Sequence, residues 1–138
     1  MINYVFDASF VITGLLNETS LAKKELRVAI GRITSKQALA FAPNLLWIEV
    51  ANGLRYSTTD LDLATTTYAK FTTLPITPHE FSLSQSLAII ELAYQTKTTV
   101  YDSSYHYLAI ELDGTFLTCD KAYYRKAESL GHIELIAS

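Results

Sequence analysis

The sequence predicts one α/β domain over residues 1–138, in which helices cover both faces of a short-stranded, mainly parallel sheet in three layers. Apolar, β-rich runs of three to five residues alternate with longer segments of helical periodicity, a pattern typical of parallel sheets. The 138 residues are 49% hydrophobic and 18% charged, which suits one domain with a buried core. No repeat, low-complexity segment or Pro/Gly/Ser-rich linker divides the sequence.

The first half of the chain predicts two strands and four helices. In order these are a strand at 2–6, helices at 10–16 and 21–31, a strand at 40–42, and helices at 45–56 and 59–71. Asn44 and Thr59 are interpreted as the capping residues that begin the last two helices.

The second half continues the alternation. The pattern predicts a strand or connector at 74–76, a helix from 77, a strand at 99–101, a helix to about 112, a turn at 113–114, a strand at 115–119, a helix at 121–130 and a strand at 133–136. Thr77, Pro78 and Glu80 together resemble a capped helix start, and Gly131 is typical of a helix end. An apolar stripe follows Thr77 at helical spacing, formed by Leu83, Leu87, Ile90 and Tyr94.

Charge and composition restrict the function classes. The net charge is −3 and the pI is near 5.5, which disfavours a protein that binds nucleic acid by positive charge alone. An enzyme that reaches phosphates through bound cations is compatible with that balance. Cys119 is the sole cysteine, and the sequence has neither a membrane-length apolar stretch nor a basic leader. These features predict a cytoplasmic protein that does not enter a membrane.

Four carboxylates are the candidate site. Asp7, Asp102 and Asp120 each directly follow an apolar β-rich run, and the carboxyl ends of parallel strands form ligand sites at one edge of a sheet. Glu49 lies on an apolar helical face, where an unpaired charge is costly. Taken singly, each aspartate is better explained as a helix cap, and Glu49 as a partner of Arg55. Taken together, their placement favours a site.

Clustered carboxylates require protons or cations. Two like charges 4 Å apart repel by roughly 1 kcal/mol in water and about 4 kcal/mol at an effective dielectric of 20. Oxygen ligands without a His or Cys set suit Mg²⁺ or Mn²⁺. A divalent ion in such a site activates water and stabilises charge on a phosphodiester, so the pattern predicts phosphodiester hydrolysis.

Four motifs in order resemble the PIN-domain family, and in particular the VapC-like toxins of prokaryotic toxin–antitoxin pairs. They lie at residues 5–9, 48–52, 101–105 and 117–120, and the resemblance spans essentially the whole chain. It implies a three-layer α/β/α PIN-like fold and an endoribonuclease that uses Mg²⁺ or Mn²⁺ to cleave structured RNA such as tRNA or rRNA. It also implies a homodimer and a cognate antitoxin that holds the enzyme inactive.

The resemblance assigns roles to individual residues. Asp7, Glu49, Asp102 and Asp120 become the metal-binding catalytic acids. Ser9 and Thr118 match hydroxyl positions that support those acids, and Asn52 matches a polar position one turn after Glu49. Beside Asp120, Lys121 and Arg125 are candidate RNA contacts, and Tyr105, Tyr107, Tyr123 and Tyr124 are candidates for stacking on bases, although packing explains most tyrosines better.

Three alternatives stay open at this point. One is a PIN-domain nuclease that processes RNA without being a toxin, and another is a PIN-like domain that only binds. The third is a phosphoacceptor receiver domain, which is also small, doubly wound and acid-rich at its strand ends. It is disfavoured because Asp7 has no acidic neighbour and Glu49 has no role in such a domain.

Overall fold

The computed structural model describes residues 1–137 and confirms the α/β class. The strands are β1 (Ile2–Phe6), β2 (Ala38–Pro43), β3 (Ile76–His79), β4 (Thr115–Thr118) and β5 (Ile133–Leu135). The helices are α1 (Ala8–Leu16), α2 (Leu21–Thr34), α3 (Leu46–Ser57), α4 (Leu61–Phe71), α5 (Leu83–Thr96), α6 (Val100–Glu111) and α7 (Lys121–Ala127), and a 3-10 helix follows at Glu128–Leu130. Within residues 1–137, no helix has the length and apolar character needed to cross a membrane.

The sheet has five parallel strands in the order β3-β2-β1-β4-β5. From β1 the chain first builds outward through β2 and β3, and then returns to place β4 on the other side of β1. The carboxyl ends of β1 and β4 therefore flank the point where the winding reverses, which is where open α/β sheets form ligand crevices. Receiver domains have the order 2-1-3-4-5, so this topology excludes that alternative.

The core explains why both faces of the sheet are covered. Tyr4, Val5 and Phe6 are consecutive in β1 and all are buried, although alternate strand residues point to opposite faces. Helix α6 packs across β1, β2 and β4 and buries Tyr105 and Leu108 against them. The central strand is thus enclosed, and the ends of the strands are left to carry polar side chains.

Residues 99–101, predicted as a strand, instead begin α6. The Thr99 hydroxyl accepts the backbone N–H of Asp102 at 3.1 Å and so caps the helix. The Thr-x-x-Asp spacing is itself a helix-start pattern, and it prevails over the β propensity of Val100 and Tyr101. Asp102 therefore lies in the first turn of a helix and not at the end of a strand, which corrects one of the three strand-end placements.

The predicted helix start at Thr77 is also wrong. Thr77 and Pro78 belong to β3, where they pair with β2 at the edge of the sheet. An edge strand tolerates proline, which lacks the N–H needed for pairing on both sides. The cap of helix α5 lies five residues later than predicted, because Ser82 and Gln85 form a reciprocal capping box with hydrogen bonds of 3.2 and 3.0 Å.

The apolar stripe of α5 faces solvent. Its four members, Leu83, Leu87, Ile90 and Tyr94, are 43–83% exposed. The helix instead buries Ile89, Leu92 and Ala93, which lie on a neighbouring face. Helical periodicity correctly predicts a helix here, but the apolar face that it identifies is not covered by the rest of the domain.

Smaller differences concern helix ends. Helix α3 has no side-chain cap, and Asp60, not Thr59, caps α4. Helix α1 begins at Ala8 because Asp7 caps it, and α2 continues to Thr34. The predicted helix at 121–130 divides into α7 and the 3-10 helix, and Gly131 follows it with φ 71° as expected of a helix end.

Candidate metal centre and active site

The Asp7 carboxylate is held from both sides of the point where the sheet winding reverses. Its Oδ1 accepts the backbone N–H of Phe10 at 2.9 Å and the Ser9 hydroxyl at 2.7 Å. Its Oδ2 accepts the hydroxyl of Thr118, from the end of β4, at 2.5 Å. Two strands that meet only in the folded sheet therefore orient one carboxylate.

The hydroxyl groups of Ser9 and Thr118 both contact Asp7. Each hydroxyl donates its single proton to Asp7 and uses its lone pairs for other donors. Ser9 Oγ accepts the N–H of Cys119 at 3.0 Å, and Thr118 Oγ1 accepts the N–H of Asp120 at 3.0 Å. The two hydroxyls thereby connect the loop after β1 to the loop after β4.

Burial makes Asp7 difficult to ionise. Desolvation raises the pKa of this carboxyl from 3.8 to about 6, against the opposing effect of Thr118, Phe10 and Ser9, and the charge of Asp120 raises it further. The residue as a whole is half-buried, so solvent still reaches part of it. A carboxylate in this position gains from a nearby cation more than an exposed one would.

Asp120 and Asp102 line the same cavity. Asp120 caps α7 by accepting the N–H of Tyr123 at 3.0 Å, and its charge raises the pKa of Asp102 after the larger effect of burial. The cavity has a volume of about 380 Å³, and Lys97 and Lys126 also line it. The positive charge of Lys126 lowers the pKa of Asp102.

Glu49 lies in the first turn of α3, on a second cavity of about 380 Å³. Its Oε1 accepts the hydroxyl of Tyr105 at 2.6 Å. Burial raises the pKa of this half-buried carboxyl, Tyr105 lowers it, and the charge of Asp102 raises it. Glu49 thus interacts with the other acids through Asp102.

The charge of Asp120 raises the pKa of both Asp7 and Asp102, and the charge of Asp102 raises the pKa of Glu49. Within residues 1–137 the ion pairs join Lys23 to Glu18 and His132 to Asp113, so none of these acids belongs to one.

The acids do not form a closed metal cage. In the described part of the chain, no three His, Cys, Asp or Glu side chains are grouped closely enough to hold an ion by themselves. Mg²⁺ commonly binds through one or two carboxylates and keeps several waters, so an open set of oxygen ligands suits it. The donor chemistry therefore fits a hydrated divalent cation better than a fully coordinated one.

The remaining predicted residues lie around this centre. Asn52 lines the Glu49 cavity and makes no side-chain hydrogen bond within residues 1–137. Lys121 and Arg125 are exposed on α7. Tyr105 and Tyr123 are 1% and 3% exposed, so neither is accessible for stacking on a base. Burial raises the pKa of Cys119 to about 11, which agrees with a packed thiol and not a nucleophile.

The contacts that Tyr105 and Lys126 make near the acids are not evident from the local sequence. From the sequence alone, Tyr105 is best explained as a core residue. Its hydroxyl contacts Glu49, which lies 56 positions earlier in the chain. Lys126 is one of three neighbouring bases, and helical periodicity alone does not show which base faces Asp102. The Thr-x-x-Asp start of α6 is the available signal, because it places Tyr105 one turn after Asp102 on the same helix.

Comparison with known proteins gives different results for sequence and fold. No protein-family model and no curated protein matches the sequence. The fold is similar to PAE2754 from Pyrobaculum aerophilum, with a TM-score of 0.65, 19% identity, and coverage of 94% of this chain and 93% of that one. It is also similar to VapBC2 from Rickettsia felis bound to a DNA fragment from its promoter, with a TM-score of 0.68, 13% identity, and coverage of 99% of this chain and 98% of that one. A third similar structure is VapC20 from Mycobacterium tuberculosis, a sarcin-ricin loop cleaving toxin. Its TM-score is 0.64 and its identity 13%, with coverage of 96% of this chain and 98% of that one.

Proposed function

Since the chain has the fold of the VapC-like PIN domains, we propose that it is a metal-dependent endoribonuclease and the toxin of a toxin–antitoxin pair. The observation that carries this proposal is that Thr118 joins Asp7 to Asp120 at the carboxyl ends of β1 and β4, and that Asp102 lines the same cavity as Asp120. None of these aspartates belongs to an ion pair inside the described chain. Carboxylates close to one another repel and destabilise the folded protein unless a cation or protons neutralise their charge.

Asp7, Glu49, Asp102 and Asp120 would hold Mg²⁺ or Mn²⁺. When bound there, such an ion supplies an activated water and neutralises charge that develops on the phosphate. Ser9 and Thr118 hold Asp7 in the orientation that the site needs, since both donate to it. The N–H of Tyr123 does the same for Asp120.

The basic residues around the acids are suited to RNA phosphates. Lys126 lines the cavity that contains Asp102 and Asp120, so a phosphate bound in that cavity would lie near both the lysine and these two carboxylates. Lys121 and Arg125 are exposed on the same helix and are proposed as outer contacts for RNA. The structurally similar VapC20 is a toxin that cleaves the sarcin-ricin loop, which supports a structured RNA such as rRNA or tRNA as the substrate here.

The test is cleavage of total tRNA and rRNA by the purified protein in Mg²⁺ or Mn²⁺, compared with EDTA. Asp7→Asn is expected to abolish discrete products, because it removes the buried charge at the centre. Asp113→Asn is the matched control, since Asp113 is an exposed turn residue with φ 49° that asparagine tolerates. Equal activity of wild type and Asp7→Asn, or cleavage that persists in EDTA, would contradict the proposal.

An antitoxin is proposed as the protein partner. The similar structures include VapBC and FitAB complexes bound to DNA, which supports a partner encoded beside this chain. Co-expression with the product of the adjacent reading frame should yield a stable complex with reduced RNase activity. If no such partner exists and activity remains, the chain is an RNA-processing nuclease and not a toxin.

A homodimer is also proposed, and the exposed stripe of α5 supports it. Four large apolar side chains on one helix are unusual on the surface of a monomer. Light scattering should give twice the chain mass of 15.4 kDa, and Leu87→Asp should shift the protein towards the monomer. A monomeric wild type would refute this part of the proposal.

A further inference from the structure

Helix α6 contacts the site at more than one point. It carries Asp102 in its first turn and Tyr105 one turn later. The Tyr105 ring is 1% exposed and stacks on Phe116 of β4, with 5.9 Å between centroids and 17° between planes. Its hydroxyl is 2.6 Å from Glu49 Oε1. A ring fixed by the core thus holds a proton donor at the edge of the site.

Glu49 differs from Asp7 and Asp120 in how its carboxylate is held. Asp7 and Asp120 each cap a helix and accept a backbone N–H, which fixes a short side chain. The longer Glu49 side chain has more rotamers, and within residues 1–137 its hydrogen bond comes from Tyr105. Its Oε2 has no hydrogen-bond partner within those residues, which leaves that oxygen available to a cation.

We propose that Tyr105 is a positioning residue for Glu49, and this inference rests on the proposed metal-dependent function. The hydroxyl holds Oε1, which restricts the orientation of the carboxylate and leaves Oε2 as the oxygen that would bind the cation. Without the hydroxyl, Glu49 is free to turn into solvent, because its side chain is only half-buried. Partners that orient a ligand commonly change metal affinity 10- to 100-fold when they are removed.

The experiment measures Mn²⁺ affinity by electron paramagnetic resonance, which requires no RNA. Tyr105→Phe removes one oxygen and keeps the ring, and we expect it to weaken Mn²⁺ binding about 10-fold or more. Tyr107→Phe is the matched control, because its hydroxyl donates to Glu111 at the same 2.6 Å on the same helix. It should bind Mn²⁺ as the wild type does.

Two further variants separate positioning from a general loss of structure. Replacement of Tyr105 with 4-aminophenylalanine keeps a donor at that position and should restore much of the affinity. Adding Tyr105→Phe to Glu49→Gln should weaken binding no further than Glu49→Gln does alone, because the hydroxyl acts through Glu49. Thermal unfolding of each variant confirms that it is folded.

The outcomes distinguish this inference from the proposed function. Wild-type affinity in Tyr105→Phe, together with weak binding by Glu49→Gln, would overturn the role of Tyr105 and leave the metal centre intact. Unchanged affinity in Glu49→Gln would also overturn it, because Glu49 would then not be a ligand. Absence of Mn²⁺ binding in the wild type would overturn both.

Discussion

Asp7 shows at the scale of one residue how a structural role and the proposed functional role coincide. It caps α1 in the ordinary manner, yet it also accepts two hydroxyls and has a pKa raised to about 6 by burial. A helix cap at the surface would need none of the additional donors. A loss of stability at a single buried carboxyl is expected at functional sites, where a residue serves chemistry at the expense of stability.

The raised pKa of Asp7 predicts how stability depends on pH in the metal-free protein. The folded carboxyl holds its proton more tightly than the unfolded one, so the free energy of unfolding should fall as pH rises from about 4 to about 6. The whole change is at most about 3 kcal/mol, because one pKa unit is 1.36 kcal/mol, and contact with solvent reduces it. Glu49 and Asp102 shift in the same direction and add to it.

Thermal unfolding in EDTA at pH 5 and pH 7.5 checks this prediction. The wild type should be less stable at pH 7.5 relative to Asp7→Asn, which cannot ionise at this position. Added Mg²⁺ should stabilise the wild type at pH 7.5 more than it stabilises the variant. A stability difference between the two proteins that stays constant with pH would contradict the assignment.

Lys126 carries a second prediction at this scale. Lys126→Gln should weaken RNA binding and lower the slope of log K against log salt by about 0.7–1, as expected for one lost phosphate contact. Binding is measured in the Asp7→Asn background so that RNA is not cut. Lys24→Gln, an exposed lysine of α2 away from both acid cavities, is the control. Equal effects of the two variants would show that only net charge matters.

At the scale of elements, helix starts are decided by competition between nearby caps. Thr77 and Ser82 both have the sequence of a cap, but the chain needs residues 76–79 for the edge strand. Pairing with β2 satisfies backbone groups that a helix there would have used. The helix consequently begins at the next competent cap.

This competition predicts unequal effects of two similar substitutions. Ser82→Ala should destabilise the protein by about 1 kcal/mol and lower Tm by a few degrees, because it removes half of the capping box. Thr77→Ala should change the stability by less than about 0.5 kcal/mol, since Thr77 is exposed and caps no helix. Denaturant unfolding of both variants measures the difference, and equal losses would contradict the observed helix start.

At the scale of the whole molecule, the site depends on the pairing of β1 with β4. Asp7 and Thr118 are 111 positions apart, yet they are hydrogen-bonded because those strands are neighbours in the sheet. Gly114 precedes β4 where the two strands approach closely. A Cβ there would lie 2.3 Å from the backbone oxygen of Asn3 in β1.

Gly114→Ala should therefore destabilise the protein by about 1–3 kcal/mol, because backbone must move to admit the methyl group. Gly31→Ala is the control: it lies in α2 with no neighbouring atom within 4 Å, and should stabilise by about 0.5–1 kcal/mol. Urea titration compares the two variants. A neutral Gly114→Ala would show that β1 and β4 can separate slightly without cost.

The amino-acid sequence by itself determined the fold class and the four candidate acids. Residues 4–6 of the first strand run are buried on both faces, so their apolar composition is a direct consequence of a covered parallel sheet. Asp7 and Asp120 follow their strands directly or by one residue, so strand position alone predicts that they meet. The motif positions of Ser9 and Thr118 predict a supporting role, which stays a prediction, and both hydroxyls donate to Asp7 in the structure.

Only the tertiary structure decided what local pattern leaves undetermined. Residues 99–101 have β propensity but form a helix start, and the α5 stripe is apolar but exposed. The contacts of Tyr105 with Glu49 and of Lys126 with the Asp102 cavity join elements far apart in sequence. Periodicity reports which residues share a face of one element. The choice of which face is buried, and against which partner, depends on how the elements pack together, and short-range sequence does not contain that information.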